Sequence, residues 1–563
     1  MSLHVRRRVR TAAIGAAAVA LLAAGCGSEG GGGGSSTPND TLVVYTGQAT
    51  DYTANFNPFS PTLIEGPGTI YEPLFYYNAS SQGDPEPKLG TEYEWTKDDG
   101  TELTITLREG VTWSDGKPFT AEDVKFTFDL VKSEAVPNTI GFTGETEVVD
   151  DTTVKVTFEE PSYMDGPQLL GKTYIVPKHI WSEIADPAAD PIEQPVGTGP
   201  FTLTDFKPQA FVLTANAEYW DGEPAVKNIR YRSLSGNQAA ASSLEAGEID
   251  VQTGPVPNLE NVEAAYDGYK SVIVPMNQTV LDACANADLG CEGPQTDPAV
   301  RQAIYYAMDR EQLNSLAFQN TSSDISPGFA LPERDAAYLS ADLENRTAPA
   351  NADAARAEEI LTDAGWERGD DGIFAKDGQK LSITATVVSG WTDYITALDT
   401  MSEQLKQVGI ELIPSQVSWN EMSDSRATGN YQLLIDSLYP GPAADPYYVY
   451  SYFYGSGNTA EVGEIGSTNY SRYVNEDVDT AIDELSQLDP ADSEARQPYY
   501  DEIQAQIEQD MPYIPILTAG TITVFNAEKF SGWPTNVDLY AFPAVWSRPD
   551  QAEVFANLKP NGE

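Results

Sequence analysis

The 563-residue chain contains three cysteines and two histidines, so few residues can serve metal or thiol chemistry. Cys284 and Cys291 lie close together in LDACANADLGCEG. In an oxidising compartment, such a pair is expected to close a small disulfide loop. His179 is the one histidine that follows Cys26, so a histidine-based zinc or nickel site lacks ligands. We therefore expect no metal and no other cofactor.

The sequence also contains no complete motif for a catalytic nucleophile. Ser114 and Lys117 have the S-x-x-K spacing of penicillin-interacting enzymes, but the partner motifs S-D-N and K-T-G are absent from the sequence. The sequence also contains no G-x-S-x-G, no H-E-x-x-H and no P-loop lysine. We expect a protein that is not an enzyme, with a secreted enzyme as the remote alternative.

The amino terminus has the pattern of an export signal. MSLHVRRRVR carries four arginines and no acid, and a short stretch of small and apolar residues follows before Cys26. The junction resembles the lipobox of bacterial lipoproteins, in which the cysteine is lipidated and becomes the first residue. We expect residues 1–25 to be a lipoprotein signal peptide and Cys26 to carry the lipid. The alternative is a soluble secreted protein cut near Gly25.

Residues 26–39 have the composition of a tether. The glycine run Gly30–Gly34, together with nearby serines, has little apolar surface to bury and much backbone entropy to lose. A coil of this length reaches roughly 20 Å on average and about 50 Å when extended. Such a tether would hold a soluble body beside a membrane.

The charge of the chain excludes some partners. The formal net charge is −52, and it becomes more negative when the signal arginines are removed. Such a surface repels nucleic acid and anionic lipid headgroups, so we expect neither as a partner. No later segment has 18 consecutive apolar residues, so none is predicted to cross the membrane.

The body of the chain shows the patterns of a mixed α/β fold. Strands are predicted at TLVVY (41–45) and in the alternating stretches 103–107 and 154–158, with a hairpin that turns at Lys207-Pro208. Helices are predicted in TDPAVRQAIYYAMDREQL, with Pro298 in the first turn, and in DYITALDTMSEQLKQVGI, which ends at Gly409.

Eight further segments, in order along the chain, carry a family resemblance. They are YEPLFYY (71–77), LREGVTWSDGKPFTAEDVKFTF (107–128), PVGTGPFTL (195–203), NAEYWDGEPAVKNIRY (216–231), LEAGEIDV (244–251), DPAVRQAIYYAMDREQL (297–313), LTDAGWERGDDGIFAKDG (361–378) and DMPYIPIL (510–517). Together they resemble the extracytoplasmic solute-binding proteins of the oligopeptide/dipeptide family (family 5), which feed ABC importers.

The resemblance implies a periplasmic-binding-protein type II fold, with two lobes around a cleft and an extra subdomain on lobe I. The motif order divides the chain into lobe I (40–74, 195–295 and 518–563), the extra subdomain (75–194) and lobe II (296–517). It predicts lobe crossings near Pro294 and Leu517, and a hinge that closes on a trapped ligand. It also implies a monomer that docks on ABC permease subunits, anchored to the outer face of the cell membrane by the lipid on Cys26.

The resemblance leaves two ligand classes open. Peptide-binding members hold a free amino group with a carboxylate, for which Asp436 and Asp445 are the candidates here. Other segments resemble the branch that binds cello- and chito-oligosaccharides. Sugar rings stack on aromatic side chains and hydrogen-bond through their rims. The candidates for stacking are Trp391, Tyr394, Trp419 and Tyr439, and those for the rims are Asn57, Asn237 and Asp393.

Overall fold

The computed structural model describes residues 40–562, except 48–50, 61, 65, 98, 134, 139–140 and 258. The predicted signal peptide (1–25), Cys26 and the predicted tether (26–39) lie outside the described residues. Within the described part of the chain, no helix is long and apolar enough to cross a membrane.

The described strands and helices run as follows. The first part of the chain forms β1 (Thr41–Tyr45), α1 (Pro67–Ile70), β2 (Phe75–Tyr76), β3 (Glu86–Pro87), β4 (Gly90–Trp95), β5 (Glu102–Leu107), α2 (Ala121–Lys132), β6 (Glu145–Asp150), β7 (Thr153–Thr157), α3 (Gly166–Gly171), α4 (Lys178–Trp181), β8 (Phe201–Lys207), β9 (Ala210–Ala215) and β10 (Asn228–Arg232). The middle part forms α5 (Asn237–Glu245), β11 (Val251–Thr253), α6 (Val262–Ala265), β12 (Tyr269–Ala283), α7 (Pro298–Ala307), α8 (Arg310–Leu316), α9 (Ala354–Asp363), β13 (Glu367–Arg368), β14 (Phe374–Lys376), β15 (Gln379–Lys380), β16 (Ser382–Val388), α10 (Thr392–Gln407), β17 (Glu411–Val417), α11 (Trp419–Thr428), β18 (Leu433–Leu438) and α12 (Tyr447–Phe453). The last part forms α13 (Glu476–Gln487), α14 (Ser493–Asp510), β19 (Tyr513–Asn526), β20 (Phe530–Ser531), α15 (Asp550–Asn557) and β21 (Lys559–Pro560).

Local sequence signals explain several of these bounds. The carboxylate of Asp297 accepts a hydrogen bond from the backbone N–H of Ala299 and so caps α7. The helical pattern that the sequence predicts as one helix is divided in two, because Asp309 caps a second helix, α8, through the N–H of Gln312. Helix α10 ends before Gly409, whose φ of 83° suits glycine.

Ten strands form one mixed sheet, in the order β17-β16-β18-β12-β19-β11-β1-β10-β9-β8. Its long central strands, β12 and β19, pair with each other in antiparallel register along most of their lengths. On one side lie β16, β17 and β18, which belong to the predicted lobe II. On the other side lie β1 and β8 to β11, which belong to the predicted lobe I. The long pair therefore connects the two halves.

The apolar cores show where the long strand β12 passes from one half to the other. Along β12, Val274 and Met276 are buried in the core of lobe I, whereas Val280 and Leu281 are buried in the core of lobe II. This change falls earlier in the chain than the crossing predicted near Pro294. The turn signal at Pro294 marks the end of a loop, whereas the passage occurs inside a continuous strand, where alternating apolar residues give no sign of it. The predicted domain bounds, including the crossings near Pro294 and Leu517, stay predictions.

The segment predicted as the extra subdomain contains a four-stranded antiparallel sheet in the order β4-β5-β7-β6. Helix α2 covers one face through Val124, Phe128 and Val131, which pack in a separate apolar core with Leu103 and Val154. The capping box of Thr120 and Asp123 fixes the start of this helix.

Cys284 and Cys291 form a disulfide in the structure, with their Cα atoms 5.5 Å apart. Both residues are buried; Cys284 directly follows β12, and Cys291 lies seven residues later. The bond closes the turn that leads towards α7, so it rigidifies one end of the lobe II sheet.

Candidate functional site

A cavity of about 630 Å³ lies between lobe II and the subdomain, and we call it the lobe II cavity. Its floor and walls come from β12, β18, α11, α12 and the loop 458–470. The subdomain closes the opposite side with Gly141 and Gln168. The cavity therefore sits where two separately packed bodies meet, which is a common place for a ligand site.

Strand β18 brings polar groups to this cavity because its apolar run stops before its end. Leu433, Leu434 and Ile435 are fully buried, since β18 lies between β12 and β16. Asp436 and Ser437 follow, and both line the cavity.

Asp436 forms an ion pair with Arg426, which α11 presents from the same face of the sheet. The guanidinium of Arg426 also lies 4.6 Å from the ring centre of Tyr470. Burial lowers the pKa of Arg426, but the attraction of Asp436 outweighs it, so the net pKa is raised. The charge of Asp436 is therefore balanced within the wall of the cavity.

Aromatic rings form another wall. Tyr439 and Tyr452 are stacked with an interplanar angle of 10° and a centroid distance of 6.5 Å. Tyr439 keeps 47% of its surface exposed, although it follows a buried strand. Tyr470 lines the cavity near Arg426. The cavity thus offers flat apolar ring faces beside polar groups.

Gln168 joins the subdomain to lobe II and lies between the lobe II cavity and a second cavity at the border of lobe I and the subdomain. Its amide donates a hydrogen bond to the hydroxyl of Tyr452, which bridges the two bodies. Gln168 also lines a second cavity, of about 410 Å³, whose other lining residues include Phe59, Lys172 and Arg548. The two cavities therefore adjoin at this side chain.

Further contacts hold lobe II against the subdomain. The hydroxyl of Tyr448 donates to the backbone carbonyl of Met164 at 3.0 Å. The amide of Gln82 donates to the carbonyl of Ala444 at 2.7 Å. Arg334 donates to the carbonyl of Ala79 at 2.8 Å. These three bonds hold lobe II and the subdomain together at points outside the lining of the lobe II cavity.

The structure brings only part of the predicted site together. Tyr439 and Asp436 line the lobe II cavity. Trp391 lies 5.5 Å from Trp419 and 5.7 Å from Tyr394, centroid to centroid, so these rings form one cluster. The cluster reaches the cavity through Arg426, which lies 5.8 Å from the ring of Trp419. The three rings themselves do not line that cavity.

Asp393 lies in the first turn of α10, beside this cluster and away from the cavity lining. Tyr394 is placed near Ser437, and burial raises the pKa of its phenol to about 12. These residues support the cavity wall from behind, so their predicted direct contact with a ligand stays a prediction.

The geometry does not favour Asp445 as an amino-group clamp. Its Oδ2 lies 2.7 Å from Nη1 of Arg496, and its Oδ1 accepts a hydrogen bond from Tyr500 at 2.6 Å. Oδ1 also accepts the backbone N–H of Tyr447. All three partners belong to lobe II, so both oxygens of the carboxylate already have partners within the same lobe.

Asn57 stabilises a turn through the hydrogen bonds of its side chain. It is fully buried, and its amide donates to the carbonyls of Pro187 and Asp190 at 2.8 and 2.7 Å. Its carbonyl accepts the N–H of Phe59. Asn237 begins α5, and its side chain lies outside the described part of the structure.

Ser114 and His179, the possible catalytic residues, have structural roles. Ser114 lies in a tight turn, and its N–H donates to the carbonyl of Gly197 at 2.9 Å. Nε2 of His179 lies 2.8 Å from Oδ2 of Asp115. Among the described residues, no group of three or more acidic, cysteine or histidine side chains is placed to hold a metal ion.

Several cavity residues had no sequence signal. Gln168 lies on α3, which is far from β18 in sequence, so only the fold brings it to the cavity. Arg426 lies on α11, directly before β18, but no sequence pattern marks it as the partner of Asp436. For Tyr452, a weak signal existed: it follows Tyr448 by four positions in YYVYSYF, a spacing that places both rings on one helix face.

Comparison with known proteins gives consistent results. The chain is 28% identical over 463 residues to Protein XP55 of Streptomyces lividans, covering 80% of this chain and 79% of that protein. It is 27% identical over 433 residues to the oligopeptide-binding protein AppA of Bacillus subtilis, covering 74% and 75%.

Solved structures match over almost the whole chain. A periplasmic oligopeptide-binding protein of an oligopeptide ABC transporter from Thermotoga maritima, crystallised with bound mannohexaose, superposes with a TM-score of 0.80 at 25% identity. The match covers 94% of this chain and 100% of that one. Another crystal structure of the Thermotoga protein gives a TM-score of 0.85 at 26% identity. The predicted two-lobe α/β fold is confirmed.

A family model, described as bacterial extracellular solute-binding proteins, family 5 Middle, matches residues 84–461, which is more than half of the chain. The family binds solutes outside the cytoplasm, which confirms the predicted extracytoplasmic location and the prediction that the protein is not an enzyme. The chain belongs to the family 5 bacterial extracellular solute-binding proteins.

Proposed function

We propose that this protein captures an oligosaccharide in the lobe II cavity and delivers it to the membrane subunits of an ABC importer. One observation carries the choice of ligand. Both carboxylates that are candidates for holding a peptide amino group are paired with arginines, Asp436 with Arg426 and Asp445 with Arg496. A neutral solute needs no free carboxylate.

The lining of the cavity supports the same ligand class. Stacked tyrosine rings stand beside polar side chains, as Tyr439 and Tyr452 do next to Ser437. A pyranose ring has apolar C–H faces and a hydroxyl rim, so it needs a flat ring below and hydrogen-bond partners at the edge. The mannohexaose in the Thermotoga structure gives a precedent for such a ligand in a similar fold.

An oligopeptide is the second candidate. It is favoured by the names of several relatives, among them the Bacillus subtilis oligopeptide-binding protein. A peptide would have to find its amino-terminal partner elsewhere than at Asp445, or displace Arg426 from Asp436. Breaking a buried ion pair leaves an unpaired charge and costs free energy, which reduces the gain from binding.

Delivery to an importer is supported by family membership and by the export signal of the sequence. We propose that lipid on Cys26 anchors a monomer to the outer face of the cell membrane, and that residues 26–39 act as the tether. The tether would keep the receptor near its permease while it captures solute.

Isothermal titration calorimetry tests the ligand class. The mature protein is titrated with mannohexaose, cellohexaose, chitohexaose, and one hexapeptide with a free and with an acetylated amino terminus. We expect binding of at least one hexasaccharide. Exclusive binding of the free peptide would contradict the proposal and favour the second candidate.

A further inference from the structure

The lobe II cavity contains a buried acid that the sequence did not single out. We propose that Asp282 is a specificity-determining residue whose carboxyl group hydrogen-bonds a hydroxyl or amide of the captured solute. The inference rests on the proposed function of this cavity, but it does not require the solute to be a sugar.

Asp282 lies in the middle of the lobe II sheet. It is a residue of β12, opposite Leu434 of β18 on one side and Tyr513 of β19 on the other. Only 1% of its surface is exposed to bulk solvent, yet it lines the lobe II cavity. A carboxyl group at such a position in a sheet is rare unless it is paired.

Among the described residues, Oδ1 of Asp282 has no hydrogen-bond partner. The hydroxyl of Tyr431 donates to the carbonyl of Tyr470 at 2.8 Å and also lies within hydrogen-bonding reach of the Asp282 carboxyl group, whose Oδ1 remains without a partner. A buried polar atom left without a partner costs free energy, and native proteins seldom retain one without a reason. A ligand atom in the adjoining cavity would supply the missing bond.

The nearby cations are already committed. Arg426 pairs with Asp436, as described above. Arg472 donates to the carbonyls of Tyr470, Ala427 and Glu464. Neither guanidinium is therefore paired with Asp282.

The surroundings of the carboxyl group fit a neutral ligand. Burial raises the pKa of Asp282 well above its usual value; the hydrogen bond from Tyr431 opposes this shift, and the nearby charge of Asp436 adds to it. A protonated carboxyl group has one O–H donor and also accepts hydrogen bonds. Sugar hydroxyls and peptide amides offer the complementary donor and acceptor. A site that accepts and donates at one buried point discriminates strongly against a solute that lacks the matching group.

The test compares Asp282→Asn and Asp282→Leu with the wild type by titration calorimetry against mannohexaose and a free hexapeptide. The asparagine retains a donor and an acceptor, whereas leucine has neither. We expect Asp282→Leu to lower the affinity for whichever probe the wild type binds by roughly tenfold or more, and Asp282→Asn to lower that affinity less. Thermal unfolding checks that each variant is folded.

Asp250→Asn is the matched control. Asp250 is also buried, at 2% exposure, but it pairs with Lys529 in lobe I and lines neither the lobe II cavity nor the adjoining cavity of about 410 Å³. Its replacement should leave the dissociation constant unchanged. Equal affinity of folded Asp282→Leu and wild type would overturn the proposal.

An infrared difference spectrum provides a measurement that needs no folded variant. If Asp282 contacts the solute, binding should shift a carboxyl or carboxylate stretching band of the wild type. The absence of any shift on binding would overturn the role of Asp282. If only the peptide binds and Asp282→Leu weakens it, the sugar proposal fails while the role of Asp282 holds. If neither probe binds, both proposals fail.

Discussion

Arg496 and Asp445 form a buried ion pair, with Nη1 2.7 Å from Oδ2, and the arginine side chain has no exposed surface. Removing one partner of such a pair leaves the other charge buried and unpaired. We expect Asp445→Ala to lower the free energy of unfolding by about 3–5 kcal/mol, measured by urea denaturation.

The control for this variant is an exposed pair. Asp205 lies 3.2 Å from Lys207, and both side chains are more than half exposed. Asp205→Ala should change the free energy of unfolding by less than about 1 kcal/mol. A stable Asp445→Ala that loses affinity for free but not for acetylated peptides would show instead that Asp445 clamps the amino group.

Glu72 should make stability depend on pH. It is almost fully buried and accepts hydrogen bonds from Tyr219 at 2.8 Å and from Trp220 at 3.1 Å. Burial raises its pKa from 4.5 to about 7, against the opposing effect of these hydrogen bonds. The native state therefore binds more protons than the unfolded chain between these values, and stability falls as pH rises through this window.

The variant Glu72→Gln cannot ionise, so it should lack this loss. Its free energy of unfolding relative to the wild type should rise between pH 4.5 and about 7 and then level off, by an amount of roughly 3 kcal/mol. Denaturant titrations at several pH values measure the difference, with the exposed Glu92→Gln as control. A difference that does not change with pH would contradict the assignment.

Much of the fold was predictable because its signals are local. The cap at Asp297, the turn at Gly409 and the hairpin at Lys207 each follow from one residue and its neighbours, and the structure has them. The motif order also indicated the two-lobe fold. The passage of β12 between the cores was not predictable, since a continuous strand carries no boundary signal.

The candidate site was only partly predictable, because it depends on contacts between separate helices and strands. Tyr439 and Asp436 were both predicted as candidate ligand contacts, and both line the lobe II cavity. The pairing of Asp436 with Arg426, and the bridge from Gln168 to Tyr452, depend on how helices dock on the sheet. Residue type alone could not separate Trp391 and Trp419, which line no part of the cavity, from Tyr439, which does.

Gln168 should limit the length of solute that the cleft accepts. Its side chain stands between the cavities of about 630 and 410 Å³ and is held by Tyr452. Gln168→Ala should join them, so the affinity for hexasaccharides should rise relative to that for trisaccharides. Gln82→Ala, which removes a bridge elsewhere in the interface, is the control. If Gln168→Ala and the wild type prefer the same ligand length, Gln168 does not separate the two cavities.

Anchoring is tested in the producing cell. If Cys26 is lipidated, the protein should enter the detergent phase of a two-phase extraction, and Cys26→Ala should move it to the medium. More than one acyl chain is expected, because a single chain binds a membrane only marginally. Cys284→Ala tests whether loss of a different cysteine has the same effect. Soluble, unmodified wild-type protein in the medium would contradict the anchor.

The claim that the lobe II cavity captures an oligosaccharide is tested most directly at Tyr439, whose stacked and half-exposed ring lines the cavity. Calorimetry should compare the wild type, Tyr439→Ala and the control Trp546→Ala, an exposed aromatic that lines none of the cavities described. We predict that the wild type binds a hexasaccharide such as mannohexaose. Tyr439→Ala should weaken the binding free energy by about 2 kcal/mol, which raises the dissociation constant some thirtyfold. The dissociation constant of Trp546→Ala should equal that of the wild type. Wild-type protein that binds a free hexapeptide and none of the hexasaccharides would contradict the account.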